Sequence, residues 1–483
     1  MRQTRPIASP AGALGSALAL PLFWGFALPV GLAALLVDLV ATPVVLLARR
    51  RPRAPDRAPA GRRASIVIPS WNGRELLAAL LPTLRVAMQR AGDGHEALVV
   101  DNGSDDGTAA FLAAEHPWVK VVRLERNRFY VGGIRAGVDA ARGDVLVLLN
   151  NDMRVEPEFL VALLDRFGAP DLFAVTSRIE MPHAEEASAK VETGRTRIVE
   201  KKGLLRFEQV LGPDDAPAIP VAWAGGGSTA YDFAKFRELD GMEELYAPCY
   251  AEDASVSWLA WKRGWRIEYA PQSVVHHLHR ATSTRVFGRS EVEVLDRRNR
   301  ELMFWRTITD WRIALAHVLW LPWNVRKEAR RTGLLVQAKA LVRALARLPR
   351  ALRLRQGARA TARRPDRAIL RIANDVTAYC RSLGLTGRVP QVLVLHVDRA
   401  PRLTLPVPAQ TSTVALGEGP LSPVERARRA LAEHYADLVV LADDGARAAT
   451  AALSAADRER VWVASTDPDA LAQALTRCAA RRR

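Results

Sequence analysis

In Gly143-Asp144-Val145-Leu146-Val147-Leu148-Leu149-Asn150-Asn151-Asp152, five consecutive apolar residues lie between a glycine and a polar cluster. That is the pattern of a β-strand buried on both faces. At its carboxyl end the polarity switches at once to two amides and a carboxylate. Open α/β sheets collect ligands outside the carboxyl ends of their strands. A carboxylate flanked by amides there suits a hard, oxygen-preferring divalent cation, Mg²⁺ or Mn²⁺, bridging phosphates. The same residues would also serve as a plain turn after a core strand, and only the surrounding chain separates the two readings.

Upstream the same punctuation recurs. Ser65-Ile66-Val67-Ile68-Pro69 reads as a short buried strand, turned by Ser70-Trp71-Asn72-Gly73. Residues 75–91 then carry a helical apolar stripe at Leu76, Leu77, Leu80, Leu81 and Leu84. A strand over 97–100 runs into Asp101-Asn102-Gly103-Ser104-Asp105-Asp106-Gly107-Thr108, and a helix follows to Glu115. A third strand, 119–124, precedes Asn127-Arg128-Phe129-Tyr130-Val131-Gly132-Gly133 and a helix over 134–141 that leads to the central strand. Strands alternating with helices predict a doubly wound, mainly parallel α/β sheet. The polar clusters at 70–73, 101–106 and 150–152 then share one sheet edge, the geometry of a nucleotide site. Asn72 and residues 101–104 suit hydrogen bonds to a base and ribose, although Asn-Gly and Asp-Gly pairs also form turns unaided.

Downstream, residues 165–215 mix strands with a polar loop in no assignable order. Residues 221–230 read as a returning strand, with Gly225, Gly226 and Gly227 where something approaches the backbone. Glu252 and Asp253 open a helix that Lys262-Arg263-Gly264 closes. Asp253, helped by Glu252, is a candidate general base, while capping alone would also place acids there. A strand over 267–270 precedes Val274-Val275-His276-His277-Leu278-His279-Arg280. Strand alternation puts His277 and His279 on one face, able to ligate a metal or contact phosphates.

The composition bounds the whole. The 483 residues suffice for two or three domains, and Lys+Arg 69 against Asp+Glu 52 leaves a net charge of +17. Such an excess calls for a polyanionic partner: nucleic acid, an anionic membrane or phosphorylated substrates. Cys249, Cys380 and Cys478 form no CxxC pair, which argues against a disulfide framework or structural zinc and fits a reducing cytosol. From 11 to 48 the only charged residue is Asp38, and Arg49-Arg50-Arg51-Pro52-Arg53 follows. Residues 22–47 are thus an expected membrane span with the arginines on the cytoplasmic side. A re-entrant or two-pass hairpin bent near Pro29-Val30-Gly31 is the alternative, favoured by Arg2 and Arg5. Residues 1–61 then form an anchor and linker, and 62–300 the α/β domain. Residues 301–388 form a helical region, rich in arginine from 324 to 371, that would be either an amphipathic lipid-binding segment or a solvated linker. Residues 389–483 form a small α/β unit with expected strands at 391–395 and 436–441.

Taken together, Ser65-Ile66-Val67-Ile68-Pro69-Ser70-Trp71-Asn72-Gly73, the 99–108 segment, Leu148-Leu149-Asn150-Asn151-Asp152, Gly225-Gly226-Gly227-Ser228, Tyr250-Ala251-Glu252-Asp253 and Lys262-Arg263-Gly264-Trp265 resemble family 2 glycosyltransferases. They are most similar to the bacterial rhamnosyltransferase-like branch that builds surface polysaccharides. The resemblance covers residues 63–300. It implies a GT-A fold with a Rossmann-like mixed sheet, a nucleoside-diphosphate sugar donor, a divalent metal and single-displacement inversion. By position it implies donor contacts at Pro69, Trp71, Asn72, Asp101, Asn102, Asn127, Gly133, Arg135, Asn151, Gly226 and Gly227. It makes Asp152 the last residue of the metal motif, with His277 and His279 as further candidate ligands, and Asp253 the base beside Glu252. Two positions depart from the branch: Ser255 stands where another acid is usual, and Arg135 where asparagine is common. Residues 389–483 are reminiscent of a degenerate half of a GT-B-type transferase. The expectation is a transferase of rhamnose or a similar hexose, anchored in the inner membrane and facing the cytosol, with a polyprenyl-linked glycan as acceptor. A sugar nucleotidyltransferase would show a glycine-rich loop after the first strand, and Ser70-Trp71-Asn72-Gly73 is not one. A non-catalytic membrane-associated binder is the other alternative. Nucleic acid is not the expected partner, because the arginines concentrate by the apolar stretch and in one linker rather than over a recognition surface.

Overall fold

The computed structural model describes residues 58–59, 61–180, 196–209, 219–277 and 286–372, and four strand segments beyond them. The expected membrane span and His279 lie outside the described residues. Among the described residues no helix is long and apolar enough to cross a membrane.

The first half follows the strand–helix alternation. In chain order it holds β1 (Ala64–Ser70), α1 (Arg74–Ala91), β2 (Glu96–Asp101), α2 (Thr108–Glu115), β3 (Lys120–Arg123), α3 (Phe129–Ala140) and β4 (Val145–Leu149). β1, β2, β3 and β4 pair in parallel. β5 (Met153–Val155), α4 (Phe159–Leu164) and β6 (Leu172–Glu180) come next, then a separate hairpin of β7 (Thr196–Lys201) and β8 (Leu204–Gln209). β9 (Ile219–Pro220), β10 (Ser228–Asp232), α5 (Phe233–Glu238), α6 (Glu252–Arg263) and β11 (Arg266–His277) complete the domain. The nine-stranded sheet runs β3-β2-β1-β4-β10-β6-β11-β5, with β9 also on β11. β10 lies antiparallel between β4 and β6, so the sheet is mixed in the GT-A manner.

β4 sits between two cores, as its unbroken apolar run requires. Leu146 and Leu148 face one core, while Val145, Val147 and Leu149 face the other against Leu77, Leu80, Leu81 and Leu84 of α1. That is the two-residue alternation of a strand buried on both faces. Three sequence expectations need correction. The strand expected over 221–230 is only β10, because Val221 N–H and Ala222 N–H bond instead to Ile267 and Thr196 carbonyls. The three glycines therefore lie in the approach to β10. Residues 267–277 form one strand with an irregularity between Ala270 and Val274, where a break was expected. α3 starts at Phe129 rather than 134, its first amide bonded to the Asn127 side chain.

Beyond β11 come α7 (Arg289–Thr307), α8 (Trp311–Thr332), α9 (Leu334–Leu345), α10 (Leu348–Thr361) and α11 (Asp366–Ile372). Position 300 falls inside α7. Leu302, Met303 and Phe304 of α7, with Ile313, Ala344, Ala351, Ala358 and Ile369, join the same core as Leu146 and Leu148. The apolar face of α9 packs inward through Ala340, Leu341 and Ala344. β12 (Gln391–His396), β13 (Gln410–Ala415), β14 (Leu438–Leu441) and β15 (Val461–Val463) make a parallel sheet in the order β13-β12-β14-β15. Both strands expected in this unit are present, with two more.

Candidate active site

A cavity of about 480 Å³ opens beyond the carboxyl ends of β1, β2 and β4. Pro69, Trp71, Asn102, Asn127, Asn150, Asn151 and Asp152 line one side; Gly226, Gly227, Tyr250, Glu252, Asp253 and His277 line the other.

The candidate metal ligands meet through strand register. β11 pairs antiparallel with β5, setting His277 opposite Met153, the neighbour of Asp152. His277 Nε2 lies 3.2 Å from Asp152 Oδ2, while Asp152 Oδ1 is buried without a hydrogen-bond partner among the described residues. A carboxylate with one unused oxygen beside an imidazole fits a divalent cation. Among the described residues no group of three or more His, Cys, Asp or Glu side chains is arranged to hold a metal ion. Mg²⁺-like ions fit such sparse sites, being held by one or two protein groups plus substrate phosphates and water. His276 points elsewhere, its Nε2 2.7 Å from Glu156 Oε1.

The acid pair stands at the start of α6, behind two consecutive left-handed residues, Tyr250 (φ 81°) and Ala251 (φ 66°). Neither is glycine, and each such residue costs about 1–3 kcal/mol unless its surroundings enforce it. α7 enforces it here. The fully buried Asn299 donates through Nδ2 to the carbonyls of Tyr246 (2.6 Å), Cys249 (2.8 Å) and Tyr250 (2.9 Å). Its neighbour Arg298 donates to the Ala247 carbonyl at 2.7 Å. Asp253 Oδ2 accepts from the Gly226 amide at 3.2 Å, which ties the carboxylate to the glycine turn. Burial raises the Asp253 carboxyl above its ordinary range. Burial, then the adjacent Asp253 charge, push Glu252 up to about 8.

The glycine turn is braced by Tyr130, whose hydroxyl donates to the Gly226 carbonyl at 2.7 Å. A Cβ on Gly226 would lie 2.6 Å from that hydroxyl, and one on Gly227 2.8 Å from Asn150 Nδ2. A side chain at Gly226 or Gly227 would therefore displace Tyr130 or Asn150. Ser255 accepts from the Tyr246 hydroxyl at 2.7 Å inside the core, so this departure from the family pattern does not face the cavity.

The expected donor residues divide. Pro69, Trp71, Asn102, Asn127, Asn151, Gly226 and Gly227 line the cavity. The Asn102 amide is already used, accepting from Arg128 N–H and donating to the Phe129 carbonyl, so it holds the loop before α3. Asp101 is buried beneath the site; its Oδ1 accepts from the Ser104 amide, and its Oδ2 has no hydrogen-bond partner among the described residues, with Arg123 4.0 Å away. Asn72 accepts from the Asp105 amide and lines a neighbouring cavity of about 820 Å³, which Trp71 and Asn151 share. Gly133 packs behind the wall, a Cβ there lying 3.1 Å from Asn102 Nδ2. Arg135 is a correction: it reaches away to Asp240 and the Met242 carbonyl, because its place on α3 faces the α5–α6 connection. Sequence reading gave no role to Tyr130, Tyr250 or Asn299, and named Asn150 only within the 150–152 cluster. Tyr130 and Tyr250 stood inside the segments it quoted, whereas nothing local marks Asn299.

A model described as glycosyl transferase family 2 matches residues 65–215. An uncharacterized glycosyltransferase, YkcC of Bacillus subtilis (strain 168), is 23% identical over 199 residues, covering 37% of this chain and 61% of that one. The undecaprenyl-phosphate 4-deoxy-4-formamido-L-arabinose transferase of Enterobacter sp. (strain 638) is 36% identical over 106 residues, 21% of this chain and 32% of the relative. The chain thus spans about three fifths of the first relative's length and a third of the second's. Among solved structures, the mannosyltransferase PcManGT from Pyrobaculum calidifontis, in complex with GDP-Man and Mn²⁺, aligns at TM-score 0.38 and 19% identity, over 76% of this chain and 98% of that one. GalNAc-T7 with UDP, GalNAc and Mn²⁺ aligns at 0.40 and 18%, over 50% and 47%.

Proposed function

We propose that the protein is an inverting glycosyltransferase moving rhamnose or a similar hexose from a nucleoside-diphosphate sugar to a polyprenyl-linked glycan. In this reading it works at the cytosolic face of the inner membrane. The observation that carries the proposal is that Asp253, raised by burial, and the Asp152–His277 pair line one cavity at the carboxyl edge of the sheet. The lipid-borne acceptor takes support from relatives named as undecaprenyl-phosphate transferases.

In this mechanism Asp253 in its ionised form takes the proton of an acceptor hydroxyl, and that oxygen attacks the anomeric carbon. The bond from the anomeric carbon to the diphosphate oxygen breaks on the opposite face, and the nucleoside diphosphate leaves with the bonding pair. Asp152 and His277 would hold the divalent cation, which supplies charge neutralisation for the leaving diphosphate when bound. The Gly226 amide holds the Asp253 carboxylate in place, and Tyr130 holds the Gly226 carbonyl. Glu252, next to the base and proton-retaining, keeps the pair from carrying two charges in a buried site.

A panel of nucleotide sugars assayed with Mg²⁺ or Mn²⁺ tests the activity. Asp253→Asn and Asp152→Ala should each lower transfer by at least about 10²-fold, with unchanged circular dichroism. Wild-type rates in either folded variant would overturn the assignment, and release of pyrophosphate from a sugar phosphate and nucleotide would point instead to a nucleotidyltransferase.

A further inference from the structure

The outward face of α8 is apolar where a soluble helix would be polar. Trp323 is 53% exposed, with Leu319 and Trp320 also exposed beside it; Trp311 at the start of the helix, 63% exposed, lies off this face. α9 adds Leu335, 76% exposed, and Val342. Leu319, Trp323, Arg326 and Arg330 follow one another at helical spacings of three and four, so they share one face with Trp320 and Lys327 at its margin. The opposite face, through Ile313, Ala314, Leu321 and Val325, is buried against the body. His317 Nδ1 lies 2.7 Å from the Gly203 carbonyl and Asn324 donates to the Lys202 carbonyl, so the helix is fixed in orientation. The exposed rings are therefore not turned outward by a loose helix.

The surroundings of this face carry one sign of charge. Residues 311–365 contain fourteen Lys and Arg and a single acid, Glu328. Arg326, Lys327, Arg330 and Lys339 are exposed and have no acidic partner among the described residues. Lys202 Nζ stands 4.1 Å from the Trp320 ring centroid and 5.2 Å from that of Trp323.

We propose that the exposed face of α8 and α9 docks on an anionic lipid bilayer, with the tryptophans and leucines at the headgroup boundary and the cations on the phosphates. Tryptophan favours the membrane–water interface. An amphipathic surface with Trp and Leu on one side and Lys and Arg around it binds there by apolar burial and by attraction to anionic lipid. Single-stranded nucleic acid, the other polyanion that uses aromatic residues, requires open ring faces for stacking. Here Lys202 covers two of the rings, and Leu319, Leu335 and Val342 offer nothing to stack. A second copy of this chain would bring like charges together. The docking does not rest on the proposed transferase activity; if that activity holds, docking sets the chain beside a lipid-borne acceptor.

Collisional quenching by vesicles with acyl chains brominated tests the inference on the full chain carrying Trp24→Phe, so that the apolar N-terminal stretch contributes no tryptophan. Vesicles of brominated phosphatidylcholine and phosphatidylglycerol should quench fluorescence, less so without phosphatidylglycerol or at high salt. Trp320→Ser with Trp323→Ser should remove most of that quenching at unchanged helicity. Arg326→Glu, Lys327→Glu and Arg330→Glu together keep every other tryptophan and should also lose it, since each removed cation alone weakens contact about fivefold. Quenching unchanged in both variants would overturn the proposal. So would its absence while the protein still sediments with vesicles, the result expected if residues 11–48, a second copy or another protein covers the face.

Discussion

Glu252 and Asp253 share a buried helix start, where two adjacent carboxylates cannot both ionise without cost. Asp253 serves as a base only when ionised, and burial raises it, so kcat/KM should climb with pH through a midpoint above the ordinary aspartate range. Glu252 still holds its proton when Asp253 ionises, so Glu252→Gln should leave that midpoint where it is; a midpoint moved to lower pH would show that Glu252 is charged beside the base. The same shift acts on stability. Glu252 keeps its proton to about 8 in the folded chain but loses it near 4.5 when unfolded. The folded state therefore binds more protons between those values, and stability falls as pH rises through them. Glu252→Gln should accordingly raise Tm relative to wild type most at pH 8 and above, and least near pH 4.5. At this scale Asp152 was legible only in context, since a carboxylate after an apolar strand also suits a plain turn until the other polar clusters on the same sheet edge are counted. Arg135 was misplaced because a helix side chain's direction follows from packing rather than from its distance to a glycine pair.

The element that shapes the site is α7, outside every motif that marked the site. Asn299→Ala would remove the donor shared by the Tyr246, Cys249 and Tyr250 carbonyls, at about 1–3 kcal/mol for a buried group left unsatisfied, and would relax Tyr250 and Ala251. Transfer assays should show kcat falling more than donor KM; equal kcat in the variant would mean the loop holds its own conformation. α11 plays a comparable part through Asp366. That carboxylate pairs with Lys262 at 2.7 Å and accepts from Trp258 Nε1 and from the amides of Thr309 and Asp310. Burial lowers the Lys262 ammonium; against its own burial, the Lys262 charge and the hydrogen bonds from Lys262, Trp258 and Thr309 hold the Asp366 carboxyl below its ordinary range. Asp366→Asn strands the lysine and should cost about 3–5 kcal/mol, seen as a lower denaturant midpoint. Strands and helices with continuous or 3.6-period apolar patterns were legible. Residues 221–227 were not, because the Val221 and Ala222 amides bond to the Ile267 and Thr196 carbonyls and those of Trp223, Ala224 and Gly226 to the Thr196, Ser257 and Asp253 side chains, which no local pattern encodes.

For the whole molecule, the boundary placed at 300 from a change in composition does not coincide with a change in packing. α7 crosses it, and Arg306 pairs with the buried Glu243 at 2.7 Å across it. A chain ending after Arg300 would expose Trp258, Tyr246 and their neighbours, which share a core with Leu302, Met303, Ala351 and Ile369. Such a truncation should fail to give a cooperative thermal transition, whereas an independent 62–300 domain would melt as sharply as the parent. The arginines of this region also divide in a way composition hides. Arg297, Arg298, Arg306 and Arg355 are buried structural groups, while Arg326, Lys327 and Arg330 stay outside with the exposed tryptophans.

By itself the sequence determined the strand–helix alternation, the polar clusters at the sheet edge and the acids at the start of α6. Each is written in contiguous residues whose periodicity and turn chemistry act locally. Only the tertiary structure decided which of these groups meet. His277 reaches Asp152 across 125 positions through the β5–β11 register, Asp253 reaches the Gly226 amide across 27, and Asn299 closes on Tyr250 from 49 away. Such contacts depend on how a mixed sheet closes and which helix covers it, and that is set by the fit of the whole core rather than by any one stretch.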